Sequence, residues 1–511
     1  MVSPITFTRG QLGIEAPLVT VETHLTKGLP KFNIVGLPET AVRESKERVR
    51  SAIMNSCFRF PSGRITINLA PADLPKGGGR FDLAIALGIL AASRQLPREV
   101  LGEYEFAGEL GLSGEIRPVT GILASAIAAR QQGRKLVVAL QNADEAVLPG
   151  NVDVYAASDL LTLHQHLSRR VPIELHTAPE VVPTLGSYPD LREVCGQAYA
   201  KRALTIAAAG RHSLLMVGPP GTGKSLLSNC LQGLLPELTV EEGLEVAAIY
   251  SLAKGEVSAK TWRQRPYCAP HHGSSAAALV GGGRLAMPGM ISLAHHGVLF
   301  LDELPEFPRD VIEALREPLE SGAITVARAA RHERYPARFQ LIAAMNPCPC
   351  GYATDPRHEC ACTATQIQRY LRKLSGPLLD RIDLQVHVSP VAITSLSNHR
   401  PELEKSSADV RAEIGPVLAR QQSRQGCTNS ALTSKALAEY CPLEPGAAAL
   451  LERCALQMKL SARSYHRVLR VARTIADLAD SKRLEQSHIS EALSYRAKAT
   501  VLNEIDIETQ H

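Results

Sequence analysis

The spacing of apolar positions along the chain changes repeatedly, and each change predicts an element. Alternation over 17–25 predicts a strand. Over 39–55, Val42, Val49 and Ile53 recur on one face of a helix. A strand over 64–69, a helix over 81–92, a strand near Phe106, a helix over 122–132 and a strand over 135–140 follow. This mixture predicts an α/β domain over 1–172. Pro179, Pro183 and Pro189 then punctuate a stretch without periodicity, which predicts a linker over 173–189. From Leu191 to Val388 apolar strands alternate with helical segments, the pattern of a parallel sheet, so 190–392 forms a second domain. A polar stretch over 398–406 leads into a region where Val468, Leu469, Val471, Ile475 and Leu478 recur at helix spacing. The last domain, 393–511, is therefore expected to be helical. No internal repeat or low-complexity tract interrupts this order.

Composition narrows the class. A chain of 511 residues exceeds what one core organises, and 45% apolar with 21% charged residues is ordinary for a globular protein. Aromatics make up only 4%, so broad stacking platforms for single-stranded nucleic acid are not the dominant feature. The net charge of +5 permits a nucleic-acid partner without requiring one. Met1–Gln11 lacks a signal pattern, and the most apolar run, Leu83–Ala92, is about half of what a membrane span needs. No membrane contact is expected. Eleven cysteines, four of them clustered between residues 348 and 362, suit a reducing compartment with a local metal site, and the expected location is cytoplasmic.

The candidate chemistry begins at Gly218-Pro219-Pro220-Gly221-Thr222-Gly223-Lys224-Ser225, which satisfies G-x-x-x-x-G-K-[ST] at every fixed position. An apolar strand over 213–217 precedes it and a helix over 226–235 follows. The glycines let backbone N–H groups turn inward toward phosphate, Lys224 would reach the β- and γ-phosphates of ATP, and the Ser225 hydroxyl would hold Mg²⁺. Lys76-Gly77-Gly78-Gly79 fits no phosphate template and reads as a tight loop. The apolar run Val298–Leu301 ends in Asp302 and Glu303. Ligands collect at the carboxyl ends of parallel strands. Asp302 would complete the Mg²⁺ site, and Glu303 would polarise the attacking water. A third apolar strand, 339–345, closes on Asn346, whose amide can orient water against the γ-phosphate. Arg381 is the candidate arginine finger acting in trans. A structural ion pair with Asp380 or Asp383 is the alternative.

Together, Gly196-Gln197, the two phosphate-site motifs, Asn346, Ser375-Gly376-Pro377-Leu378-Leu379-Asp380-Arg381-Ile382-Asp383 and Ser461-Ala462-Arg463 resemble the magnesium-chelatase-like branch of AAA+ ATPases. Within it, Arg265–His272, Ile291–Gly297 and Asn346-Pro347-Cys348-Pro349-Cys350-Gly351 are similar to the ComM/YifB family, and the likeness runs essentially end to end. The resemblance implies an α/β protein with an N-terminal S5/Lon-like domain, a central AAA+ P-loop parallel-sheet domain and a C-terminal helical lid. It implies a homo-oligomer, a hexameric ring with ATP sites at subunit interfaces. It also implies Arg381 as finger and Arg463 as second sensor. In competent bacteria the family is linked to natural transformation, as a DNA helicase driving branch migration. The N-terminal region resembles the Lon protease domain, but Arg80 stands where the nucleophilic serine is expected and Leu123 near where its lysine would be. A Ser–Lys dyad is thus absent, and the domain is expected to be non-catalytic.

Two further features carry expectations. Cys348-x-Cys350, nine intervening residues and Cys360-x-Cys362 offer four thiolates on the insertion 346–364, which suits structural Zn²⁺. Free thiols or a redox pair are the alternatives, and His358 is a candidate substitute ligand. Residues 324–339 read as a hairpin carrying Arg328, Arg331, Arg334 and Arg338 against Glu333. In related ring ATPases a hairpin here points into the central pore, where cations would grip the phosphates of single-stranded or branched DNA. A solvated hairpin or an intersubunit contact is the alternative. Arg284, in the glycine-rich segment 279–289, is a second candidate DNA contact. His271, His272, His295 and His296 are assigned to loop packing. The leading expectation is an ATP-dependent DNA motor. The alternative is a chelatase-type factor that remodels a protein partner.

Overall fold

A computed structural model of the chain describes residues 3–37, 39–74, 76–177, 186, 188–255, 257–258, 260–283, 286–328, 331–397 and 399–497. Most of the expected linker and the last residues of the expected lid, along with Arg284, lie outside the described residues. The chain divides into two compact units. One comprises Met1–Leu185 with Thr239–Gln264, and the other Gly186–Leu238 with Arg265–His511.

The first unit is built on a seven-stranded mixed sheet. Its strands run in the order Lys31–Val35, Arg64–Ala70, Leu18–Thr26, Ile5–Arg9, Tyr104–Ala107, Lys135–Ala139 and Val154–Ala157. The helix Asp82–Ala92 is buried on nearly every side, which is why its sequence is apolar all round. Ile5–Arg9 escapes periodicity because a central strand here buries Thr6, Thr8 and Arg9; the Arg9 guanidinium is neutralised by buried Glu105 at 2.6 Å. Helix Val240–Lys254 also belongs to this unit, although it falls within the expected span 190–392. Leu244, Ala247 and Ala248 cluster with Leu123, and Trp262 packs beside them.

Arg80, at the place of the expected nucleophile, is buried and donates to the carbonyls of Gly10 and Thr120. Burial holds its pKa down at about 10. Lys76 is buried too and donates to the Pro71 carbonyl.

The second unit holds a five-stranded parallel sheet in the order Tyr267–Cys268, Val298–Leu301, Gln340–Met345, Leu214–Val217, Leu384–His387. The inner strands Val298–Leu301 and Leu214–Val217 are apolar throughout because both faces are covered. Leu214, Met216, Phe300, Ile342, Ala344 and Val386 share one core with helices Ala198–Gly210 and Lys224–Leu234. The same core takes in Val468, Val471 and Ile475 of helix Ala462–Leu478 and Ile489 of helix Gln486–Ala497. Before Gln340, strands Ala323–Arg328 and Arg331–Pro336 pair antiparallel as a hairpin, with Ile324, Val326 and Tyr335 buried and Arg334 exposed. The fold is mixed α/β with parallel-strand sheets and a helical C-terminal region.

Candidate active site

Parallel register brings the candidate residues to one edge of the second unit. Val217 lies opposite both Met345 and His387, and Leu301 lies opposite Ala343, so the chain leaves the sheet at Gly218, Asp302 and Asn346 on the same side. Residues 218–223 form the loop between strand Leu214–Val217 and helix Lys224–Leu234. Gly223 caps that helix at φ 88°, a left-handed conformation that a side chain would strain. Thr222 Oγ1 donates to the Pro219 carbonyl at 2.9 Å and so braces the loop from within.

Lys224 is buried. Its Nζ donates to the carbonyls of Gly218 at 2.7 Å and Pro219 at 2.8 Å, and to Asn346 Oδ1 at 3.2 Å. Burial lowers its pKa to about 8 despite the opposing pull of Asp302 and Glu303. Ser225 Oγ donates to Asp302 Oδ2 at 2.7 Å, the hydroxyl–carboxylate pair that suits a hard divalent cation such as Mg²⁺. Glu303 stands at φ 54°, outside the ordinary range for a non-glycine residue, and its N–H donates to Asp302 Oδ1 at 3.0 Å. Its carboxylate faces His272, with Nδ1 and Oε2 3.1 Å apart. Nothing in the sequence signals this pairing, which corrects the packing role expected of His272. His295 Nδ1 accepts from the Arg338 N–H, and the His296 N–H donates to the Arg338 carbonyl.

The four cysteines gather beside this edge. Their sulfur atoms all lie within 4.8 Å of one another, with Cys348–Cys350, Cys350–Cys360 and Cys348–Cys360 separations of 3.3, 3.5 and 3.7 Å. Four thiolates at Zn–S distances near 2.3 Å span tetrahedral edges of about 3.8 Å, so the group fits structural Zn²⁺. Backbone N–H groups of Cys350 and Ala353 donate to Cys362 and Cys348 sulfur. His358 instead pairs with Asp355 at 3.1 Å. The loop also touches residues 218–223. A Cβ on Gly351 would stand 2.8 Å from Pro220, and Thr354 Oγ1 bonds His387 Nε2 at 3.0 Å.

Arg381 and Arg463 lie elsewhere. Leu384 pairs with Leu214 at the start of their strands, so Arg381 precedes the amino edge of the sheet while the cradle follows its carboxyl edge. A strand's length, on the order of 15 Å, separates them. Arg381 pairs with neither Asp380 nor Asp383, correcting the ion pair considered from sequence. Asp383 is claimed by buried His212 and Arg467, and Asp380 accepts from Ser461 and Ser464. Arg381 binds Glu320 instead, and so does Arg463. At the hairpin tip Arg328 and Arg331 occupy paired positions, with Arg334 opposite Thr325.

Comparison with known proteins covers most of the chain. Residues 21–142 match the family described as subunit ChlI of Mg-chelatase, residues 190–396 match magnesium chelatase, subunit ChlI, and residues 404–496 match its C-terminal region. The chain is 48% identical over 505 residues to Competence protein ComM of Haemophilus influenzae, covering 98% of this chain and 99% of that protein. It is 48% identical over 493 residues to YifB of Escherichia coli, covering 96% and 97% respectively. A shorter match, 29% identical over 171 residues, spans 30% of this chain and 51% of the magnesium-chelatase 38 kDa subunit of Cereibacter sphaeroides.

Proposed function

The chain belongs to the ComM/YifB family of magnesium-chelatase-like AAA+ proteins, and from that premise we propose that it is an ATP-hydrolysing, ring-forming DNA motor that promotes branch migration. One observation carries the reading: Lys224, Ser225, Asp302, Glu303 and Asn346 meet at a single sheet edge. Gly218, Pro219, Pro220, Gly221, Thr222 and Gly223 supply the backbone that wraps phosphate, with Lys224 as its cation. Ser225 and Asp302 hold Mg²⁺, which neutralises charge between the β- and γ-phosphates. Glu303 accepts the proton of the attacking water, and Asn346 orients that water. Arg381, remote from its own cradle, acts on a neighbouring subunit's nucleotide, and Arg463 works beside it. The ring is a hexamer of domains 1–172, 190–392 and 393–511 joined through the linker 173–189, working in the cytoplasm. No helix among the described residues is long and apolar enough to cross a membrane.

DNA, single-stranded or branched, is held by Arg328, Arg331 and Arg334, assisted by Arg284. The hairpin's arginine-rich register supports this. Zn²⁺ at Cys348, Cys350, Cys360 and Cys362 stiffens the loop that abuts the cradle. The name of the Haemophilus relative links that protein to competence, and we extend a role in processing incoming DNA to this chain. The N-terminal unit is non-proteolytic on this reading, since Arg80 and Leu123 replace a dyad. A second reading, a chelatase-type remodelling factor, draws on the magnesium-chelatase matches over three stretches of the chain. Binding of labelled single-stranded DNA across a salt series separates the two. Affinity falling steeply with salt is expected of the motor, because phosphate contacts release counterions. Absence of binding at low salt, with ATP hydrolysis intact, would favour remodelling.

A further inference from the structure

Arg381 and Arg463 converge on one oxygen. Nη2 of each donates to Glu320 Oε1. The Arg381 side chain is 5% exposed, whereas Arg463 and Glu320 are 46% and 44% exposed. Two guanidiniums side by side repel, and a single carboxylate holds them together. Nη1 of Arg381 donates to the Pro377 carbonyl, and its Nε is buried without a partner. A phosphate reaching this nearly buried guanidinium would compete with Glu320 for Nη2.

Glu320 is also tied to the hairpin. It occupies the last turn of helix Arg316–Ser321, which Gly322 ends at φ 67°, and the first hairpin strand begins at the next residue. Ser321 Oγ donates to the Ala323 carbonyl at 2.9 Å, and Thr325 Oγ1 to Glu317 Oε1 at 3.1 Å. The Ala337 N–H, on the returning side, donates to the Gly322 carbonyl at 2.8 Å. A shift of the hairpin is thus transmitted to the turn that carries Glu320.

We propose that Glu320 is an internal anion that occupies both arginines in the resting chain, standing in for the terminal phosphoryl group of a nucleotide on a neighbouring copy, and that hairpin displacement withdraws it. This rests on the reading of Arg381 as the finger. A carboxylate and a phosphoryl group compete for the same N–H donors and repel each other, so both cannot stay. The more highly charged phosphoryl group, with three oxygens, is the stronger partner. Glu320 thereby restrains hydrolysis until the hairpin is engaged, and it is a positioning residue that acts through the arginines.

The test compares ATP turnover by the full-length unmodified protein, Glu320→Gln, Glu320→Asp, Arg381→Ala and Glu320→Gln/Arg381→Ala, each with and without a thymidine oligonucleotide. Glu320→Gln keeps the shape and removes the charge. It is expected to raise DNA-free kcat by roughly tenfold, the scale of one charged hydrogen bond, with little change in KM. Glu320→Asp keeps the charge and should retain restraint. The double variant should be as slow as Arg381→Ala. A fall of Glu320→Gln toward the Arg381→Ala rate, or no change, overturns the proposal. If Arg381→Ala itself turns over normally, the finger reading fails first. Mixing Lys224→Ala with Arg381→Ala chains checks that reading separately, because recovered activity requires a finger acting on a neighbour.

Discussion

Lys224 gives the site a pH dependence that can be worked out in advance. Free lysine titrates near 10.4, but burial holds Lys224 at about 8 in the nucleotide-free chain. A triphosphate adjacent to the ammonium favours the charged form and returns its pKa toward the ordinary value. Below pH 8 Lys224 is charged both before and after binding, so affinity there does not depend on it. Above pH 8 the free site must take up a proton to bind, and each pH unit then costs about tenfold in affinity, or about 1.4 kcal/mol. ATP should therefore bind about tenfold more weakly at pH 9 than at pH 7, with nearly one proton taken up per site at pH 9. Isothermal titration in two buffers of different ionisation enthalpy, with Mg²⁺ and the Glu303→Gln protein to prevent turnover, measures both quantities. Lys224→Arg should flatten the slope, because guanidinium stays protonated throughout. An affinity independent of pH between 7 and 9.5, with no proton uptake, would mean that Lys224 gains no proton on binding.

Glu303→Gln should bind ATP with near-normal affinity and lose hydrolysis by at least about a hundredfold, as loss of a general base does; rapid steady-state turnover would remove Glu303 from its role. Lys224→Ala should abolish measurable nucleotide binding in the same titration. Cys360→Ser should reduce zinc, measured by atomic emission, from about one ion per chain to almost none, and should lower the melting temperature. Unchanged zinc content would show that these sulfurs are not its ligands. Replacing Arg328, Arg331 and Arg334 together by Ala should weaken DNA binding and reduce the salt slope by about three, while ATP binding persists. Equal slopes would place DNA elsewhere.

The loop 218–223 and the residues that follow it were legible because the motif is local. Gly218 to Ser225 are consecutive, and a strand and helix on either side dictate the geometry. Asp302, Glu303 and Asn346 were legible for a related reason: each ends an apolar strand, and parallel strands bring their tips together. The four cysteines declared themselves by spacing. What was hidden depends on approach across the fold. His272 meets Glu303 only because strand Tyr267–Cys268 lies next to strand Val298–Leu301. Glu320 is one acid among many until Arg381 and Arg463 close on it from distant segments. The strand Ile5–Arg9 was hidden because its inward side chains are polar and satisfied by partners such as Glu105, so no apolar alternation marks it.

If hydrolysis at this edge moves DNA, branched junctions must migrate only while ATP is turned over. The most direct test is ATP-dependent branch migration on labelled three- and four-strand junctions, with the unmodified protein and Glu303→Gln side by side. Strand transfer by the unmodified protein alone, requiring ATP and Mg²⁺, is the predicted result. Intact ATPase activity that leaves the junctions unmoved and does not respond to DNA would show that hydrolysis here serves a protein substrate instead.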